Sequence, residues 1–180
     1  MSMMRRIVLT VGVVSVAWLG GGCGEGPFDV EVSLAEGDPK LKDEDGTVRS
    51  IEVNLVAVND TEKPVWEQVS MSEYWEPGNA IRDSAAKHVM TFGQGFPKTQ
   101  VLKKKNAIWR TWLRERQAKH LFILADLPWI QQDKPGDADP RRLILPLEVG
   151  KWEWYLWGAD TIKIQVSAGG LTSLRQPKKQ

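Results

Sequence analysis

Three stretches of this 180-residue chain place apolar side chains at every second position. Phe28–Leu34 (FDVEVSL) sets Phe28, Val30, Val32 and Leu34 against Asp29, Glu31 and Ser33. Ile51–Val58 turns Ile51, Val53, Leu55 and Ala57 one way, and Leu143–Val149 does the same with Leu143, Leu145, Leu147 and Val149. A period of two sends side chains to opposite faces of a strand, so a chain built this way must form sheets that bury one face. Leu121–Leu127 (LFILADL) is nearly all apolar, which predicts a central strand buried on both faces. Val65–Met71, Trp152–Trp157 and Thr161–Val166 complete the expected strands, and Pro146 predicts an edge position or a bulge for its own. Asn106–Lys119 is the one clear helix: Asn106 caps it, and Ile108, Trp109, Trp112 and Leu113 form an apolar stripe. Ala80–Val89 reads as a short helix or a loop. Polar turns are expected at 35–47, 59–64, 92–97 and 128–142. The fold class is therefore all-β with a helical insertion, an antiparallel β-sandwich of about seven strands.

The amino-terminal 27 residues follow another logic. Arg5 and Arg6 precede an uncharged apolar run from Ile7 to Leu19. That run is shorter than the roughly 20 residues a membrane-spanning helix needs. A basic patch, a short apolar run and then small residues make a secretory signal pattern. Gly20, Gly21 and Gly22 are followed by Cys23, the single cysteine of the chain. This resembles the bacterial lipoprotein box, and the resemblance implies cleavage before Cys23 and acylation of its thiol. Acylation also caps a thiol that has no internal partner for a disulfide, and two or three acyl chains hold durably where one does not. Gly24, not aspartate, follows the cysteine, which by the same resemblance points to the outer membrane, facing the periplasm. The expected organisation is a signal peptide at 1–22, a lipidated tether at 23–27, a β-sandwich domain at 28–168 and a polar basic tail at 169–180.

Removal of residues 1–22 takes two of the 24 basic residues and none of the 23 acidic ones, so the remainder carries a formal charge of −1. No nucleic-acid partner is expected from that balance. Known catalytic patterns do not emerge. His88 and His120 lack the spacing of a metal pair, and there is no Gly-x-Ser-x-Gly. Asp43/Asp45 and Asp137/Asp139 lie in polar loops, where the burial that separates two carboxyl pKa values is not expected. No metal, cofactor or catalytic residue is assigned, and the chain reads as a non-enzyme.

Two compositional features remain. Nine tryptophans are many for this length; they serve either core packing or an aromatic binding surface. Lys98–His120 holds eight basic residues (98, 103, 104, 105, 110, 114, 116, 119) against Glu115. That is either a solvated basic face or a contact with something anionic, such as lipid headgroups or an acidic protein.

The lipobox-like GGGC, the strand and polar loop IEVNLVAVNDTEKPV, the hydrophobic strand HLFILADLPW and the closing segments RRLILPLEVGKW and TIKIQVSAGGL together resemble the type VI secretion lipoprotein family (TssJ-like). The resemblance covers roughly residues 20–70 and 120–171. It implies a structural or docking lipoprotein that anchors a secretion membrane complex at the outer membrane by protein–protein contact. It also implies that the loop Asn59, Asp60, Thr61, Glu62, Lys63 and Pro64 touches the protein partner, in the periplasm or the inner membrane. The alternative is a periplasm-facing ligand-binding lipoprotein with a tryptophan-lined groove for glycan, lipid or peptide.

Overall fold

The computed structural model describes residues 26–147 and 161–174. The signal peptide, Cys23, the strand expected at Trp152–Trp157 and the last six residues lie outside the described residues. Eight strands are described, in two four-stranded sheets. The first sheet holds β1 (Asp29–Leu34), β4 (Thr99–Leu102), β7 (Thr161–Ser167) and β8 (Gly170–Ser173), in the order β4-β1-β7-β8. The second holds β2 (Ile51–Val58), β3 (Lys87–Phe92), β5 (His120–Ala125) and β6 (Arg142–Pro146), in the order β3-β2-β5-β6. The β-sandwich expected from the alternation is what forms. One pairing departs from the antiparallel rule: β1 runs parallel to β7, with Val30 opposite Ile162 and Val32 opposite Ile164.

The core follows the period of two. Val30, Val32, Ile162, Ile164 and Val166 from the first sheet meet Ile51, Val53, Leu55, Leu121 and Ile123 from the second, and all belong to one buried cluster. β5 is an inner strand buried on both faces, as its composition requires. Its second face is covered by a third layer of short helices: α1 (Lys63–Gln68), α2 (Met71–Trp75) and α3 (Ala80–Ser84). Trp66, Met71 and Tyr74 pack there on Val56, Val58, Phe122 and Leu124. β6 is an edge strand, the place Pro146 demands.

The third layer corrects one expectation. Val65–Met71 is not a strand; it is α1 running into α2. Pro64 occupies the first turn of α1, where its missing N–H costs nothing. Ser70 caps α2 by accepting from the Glu73 N–H at 3.1 Å, the Ser-x-x-Glu start signal. The expected helix at Asn106–Lys119 is shorter and irregular. α4 (Ile108–Arg110) passes into a wide π-type turn at Thr111–Glu115, and the chain then reverses at Gln117, which has φ 52°. β3 and β4 were not expected, and β8 occupies the start of the segment expected as a tail.

Gly170 fixes how β8 meets the loop before β6. Its φ is +122°, and a Cβ placed there would overlap Pro140, whose carbonyl accepts from the Leu171 N–H at 2.7 Å. Gly170→Ala is therefore expected to lower stability by about 1–3 kcal/mol, read as an earlier urea midpoint with an unchanged slope.

Candidate partner-binding turn

Asn59–Pro64 connects β2 to α1 and is a built turn, not a slack loop. The Asn59 side-chain oxygen accepts from the Thr61 and Glu62 N–H groups, both at 3.0 Å. Glu62 Oε2 accepts in return from the Asn59 N–H at 3.3 Å. This is the reciprocal pairing of a capping box, set one turn ahead of the helix. The Lys63 N–H donates to the Asn59 carbonyl at 3.0 Å, closing the turn.

The same residues tie the turn to the end of the helical insertion. Asn59 Nδ2 donates to the Arg116 carbonyl at 3.3 Å, and the Arg116 guanidinium meets Glu62 at 2.5 Å. Asp60 pairs with His120 Nε2 at 2.9 Å and with Lys119 Nζ at 3.0 Å. The hydrogen bond from His120, then that from Lys119, holds the Asp60 carboxyl below its ordinary value. What remains outward is Thr61, Pro64 and the next residue, Val65, which is 57% exposed. The structure thus joins all six predicted residues in one rigid corner with an exposed ridge.

A second cluster went unseen in the sequence, because 128–142 reads as a solvated loop. Asp139 is fully buried and Arg141 nearly so. Arg141 Nε donates to Asp139 Oδ1 at 3.0 Å, and Nη2 to Asp139 Oδ2 at 2.8 Å and also to Asp133. Asp133 in turn accepts from Ser70 and from the Ser72 hydroxyl, the latter at 2.8 Å. Burial pushes the Asp133 carboxyl up, but the hydrogen bonds from Ser70, Ser72 and Arg141 more than offset it and hold its pKa at about 2. Arg142, also buried, donates to the carbonyls of Glu67 and Val69, the open C-terminal end of α1. The two arginines fasten the helical layer that carries the turn's exit. The expectation that Asp139 is solvated is therefore wrong. Its partner is an arginine, not Asp137, so the pair holds structure together and is not an acid–base couple.

The tryptophan alternative meets a plain geometry. Trp109 and Trp112 are fully buried between the sheets, and Trp66 lies under α1. Trp129 donates through Nε1 to the Ala168 carbonyl at 2.9 Å. Trp75 borders a cleft of about 350 Å³ with Asp126 and Arg141, but the Arg82 guanidinium covers its ring at 4.9 Å. Of the clefts at 34–48 and 93–98, at 34–48 with Lys98, and at 71–77 with 126–141, only the last holds a tryptophan, Trp75; Trp152, Trp154 and Trp157 lie outside the described residues. His88 is half-buried, and burial pushes its pKa down. Among the described residues, no three of His, Cys, Asp and Glu come together to hold a metal.

No protein-family model and no curated protein matches this sequence. Solved structures do match in shape. The chain is similar to Lip of Serratia marcescens, described as a membrane-bound component of the type VI secretion system, with 11% identity, a TM-score of 0.49 and coverage of 86% of this chain and 99% of that one. It is similar to the type VI lipoprotein TssJ1 of Pseudomonas aeruginosa at 10% identity and a TM-score of 0.47, covering 86% and 99%. A structure described as the TssM C-terminal domain from EAEC matches at 14% identity and a TM-score of 0.48, covering 82% and 99%. At these identities and scores the likeness is one of overall fold and assigns no residue a role.

Proposed function

We propose that this chain is a lipid-anchored envelope protein that works by docking, as the outer-membrane anchor of a type VI secretion membrane complex. Cys23 carries the acyl chains, and the Asn59–Pro64 turn contacts a protein partner in the periplasm or the inner membrane. One observation carries the anchoring half. The Gly26 N–H donates to the Lys104 carbonyl at 2.5 Å, so the fold begins three residues after the cysteine of the lipobox-like GGGC. At about 3.3–3.6 Å per residue, an acylated Cys23 holds the sandwich within roughly 11 Å of the bilayer. The docking half rests on the resemblance and on the rigidity of the turn: a preorganised corner loses little entropy on binding.

The intact mass of protein extracted from membranes is expected to show loss of residues 1–22 and gain of acyl chains. Cross-linking in cells is expected to join the turn to one protein with an inner-membrane span and a periplasmic domain. Thr61→Arg combined with Val65→Glu leaves the capping box intact and is expected to abolish that cross-link. Retention of the cross-link by this variant, with the fold unchanged, removes the turn from the interface and leaves the anchor standing.

A further inference from the structure

The helical layer leaves a cleft at one end of its sheet, and a carboxyl group without a partner stands in it. The Asp126 N–H donates to the Glu52 carbonyl at 2.8 Å, which extends the pairing of β5 with β2 by one step. Alternation sends the Asp126 side chain to the face of Phe122 and Leu124, the one the helices cover. There it lines the cleft of about 350 Å³ beside half-buried Trp75 and Ile130 and buried Met71 and Leu127. That volume falls within the range of small-ligand clefts, roughly 300–1,000 Å³. Among the described residues, nothing donates a hydrogen bond to the Asp126 carboxylate and no cation pairs with it. Arg82 and Arg141 act on it without touching it, and both are already held. Arg82 meets Glu52 at 3.2 Å and lies over the Trp75 ring at 4.9 Å. Arg141 is answered by Asp139 at 2.8 Å and by Asp133. Burial accordingly pushes the Asp126 carboxyl above its ordinary value, with Glu52 adding to the push and the two arginines opposing it.

We infer that this cleft is a binding site for a lysine side chain of a partner protein, whose ammonium group donates to the Asp126 carboxylate. A half-buried carboxylate with open acceptor oxygens lacks only a cation, and a charge-assisted hydrogen bond supplies the strongest match. The apolar lining suits the four-carbon stem on which lysine carries its compact charge. Glu76, exposed at the rim, adds charge of the same sign as Asp126. Arg141 does not reverse that sign, because Asp133 and Asp139 together outweigh it. A carboxylate held away from water without a partner also costs stability, a cost that binding sites characteristically carry. The cleft stands apart from the turn and from the anchor of the proposed function. Asp126 lies beside Glu52 near the start of β2, whereas Asn59 follows Val58 at its end. That length of strand separates the two sites by about 20 Å.

The test uses the full-length protein, purified from membranes in detergent and isotope-labelled at its aspartate carboxyl carbons for NMR. The probe is an alanine peptide, blocked at both ends, with one central lysine. Its control carries norleucine there, the same stem without the charge. The Asp126 resonance is identified by its loss in Asp126→Asn. In the free protein it is expected to titrate above the ordinary aspartate range, and the lysine peptide should lower that midpoint by about 1–3 pH units. The norleucine peptide leaves it in place. Asp126→Asn is expected to weaken binding of the lysine peptide at least about tenfold. The same variant should not lower the urea midpoint at neutral pH, since it removes a charge from a place where burial disfavours it. Thr61→Arg combined with Val65→Glu should bind the lysine peptide as the parent does, which separates this cleft from the turn. Equal binding of the two peptides, equal binding by the parent and Asp126→Asn, or a lower urea midpoint for that variant overturns the inference.

Discussion

Replacing Trp112 with alanine is expected to destabilise the domain by about 3–5 kcal/mol, among the largest effects of any single change. The Trp112 side chain is completely buried. Its ring meets Trp109 edge-on at 5.1 Å, and Trp109 meets Phe28 at 5.7 Å. Its Nε1 donates to the Ala86 carbonyl at 2.7 Å, just ahead of β3. The three rings therefore bridge the start of β1 in one sheet to the start of β3 in the other, closing that end of the sandwich. Alanine leaves a void that the two sheets cannot collapse into, and it strands the Ala86 carbonyl. For a domain of this size the melting temperature should fall by roughly 10 °C. Trp112→Phe keeps most of the packing and loses the hydrogen bond, so it should cost distinctly less. A loss below about 1 kcal/mol for the alanine variant would show that this end of the core repacks freely.

Arg141→Ala is expected to cost a similar amount, about 3–5 kcal/mol, for an electrostatic reason. It leaves Asp139 buried and without its cation, the expensive way to break a buried pair. The pH dependence gives a signature that packing loss does not. Asp133 ionises at about 2 in the folded protein against a reference of 3.8, and the Asp139 carboxyl is lowered as well. Groups with depressed folded values contribute stability that is complete above the unfolded value and lost as pH falls through the folded one. The parent should thus lose stability steadily between about pH 4 and 2, and Arg141→Ala should lose less over that window because part of the contribution is already gone. Denaturant titrations at successive pH values decide this; parallel profiles for parent and variant would mean that the arginine does not set the carboxyl pKa values.

The strands with the cleanest alternation were legible because one side of each meets the core and the other meets water. β1 and β7 repeat buried and half-buried residues in step, and β5 shows its double burial in composition alone. The third layer was harder. Val65 and Val69 look like strand residues, yet Val65 is exposed and Val69 only partly buried, while Trp66 and Met71 are the ones buried against the sheet. The Ser70–Glu73 capping pair was the available signal that helix, not strand, follows the turn. β3 was hidden for a related reason: its edge position leaves Val89 43% exposed and only Met90 and Phe92 buried, too few for a pattern to stand out. In the candidate site, the six turn residues were contiguous and could be named. The ties to Arg116, Lys119 and His120 cross more than fifty positions and leave no local trace. The Arg141 cluster was invisible because a polar, proline-containing stretch gives the same composition whether its charges meet water or each other.

The parallel pairing of β1 with β7 bears on how the domain withstands traction. β1 lies inside its sheet, with β4 on one side and β7 on the other, and the chain leaves it toward the cysteine. A load drawn along that end stresses two rows of inter-strand bonds lengthwise and all at once, where a terminal hairpin would peel one bond after another. Whatever pulls on the chain ahead of β1 must shear the middle of a sheet before the fold gives way.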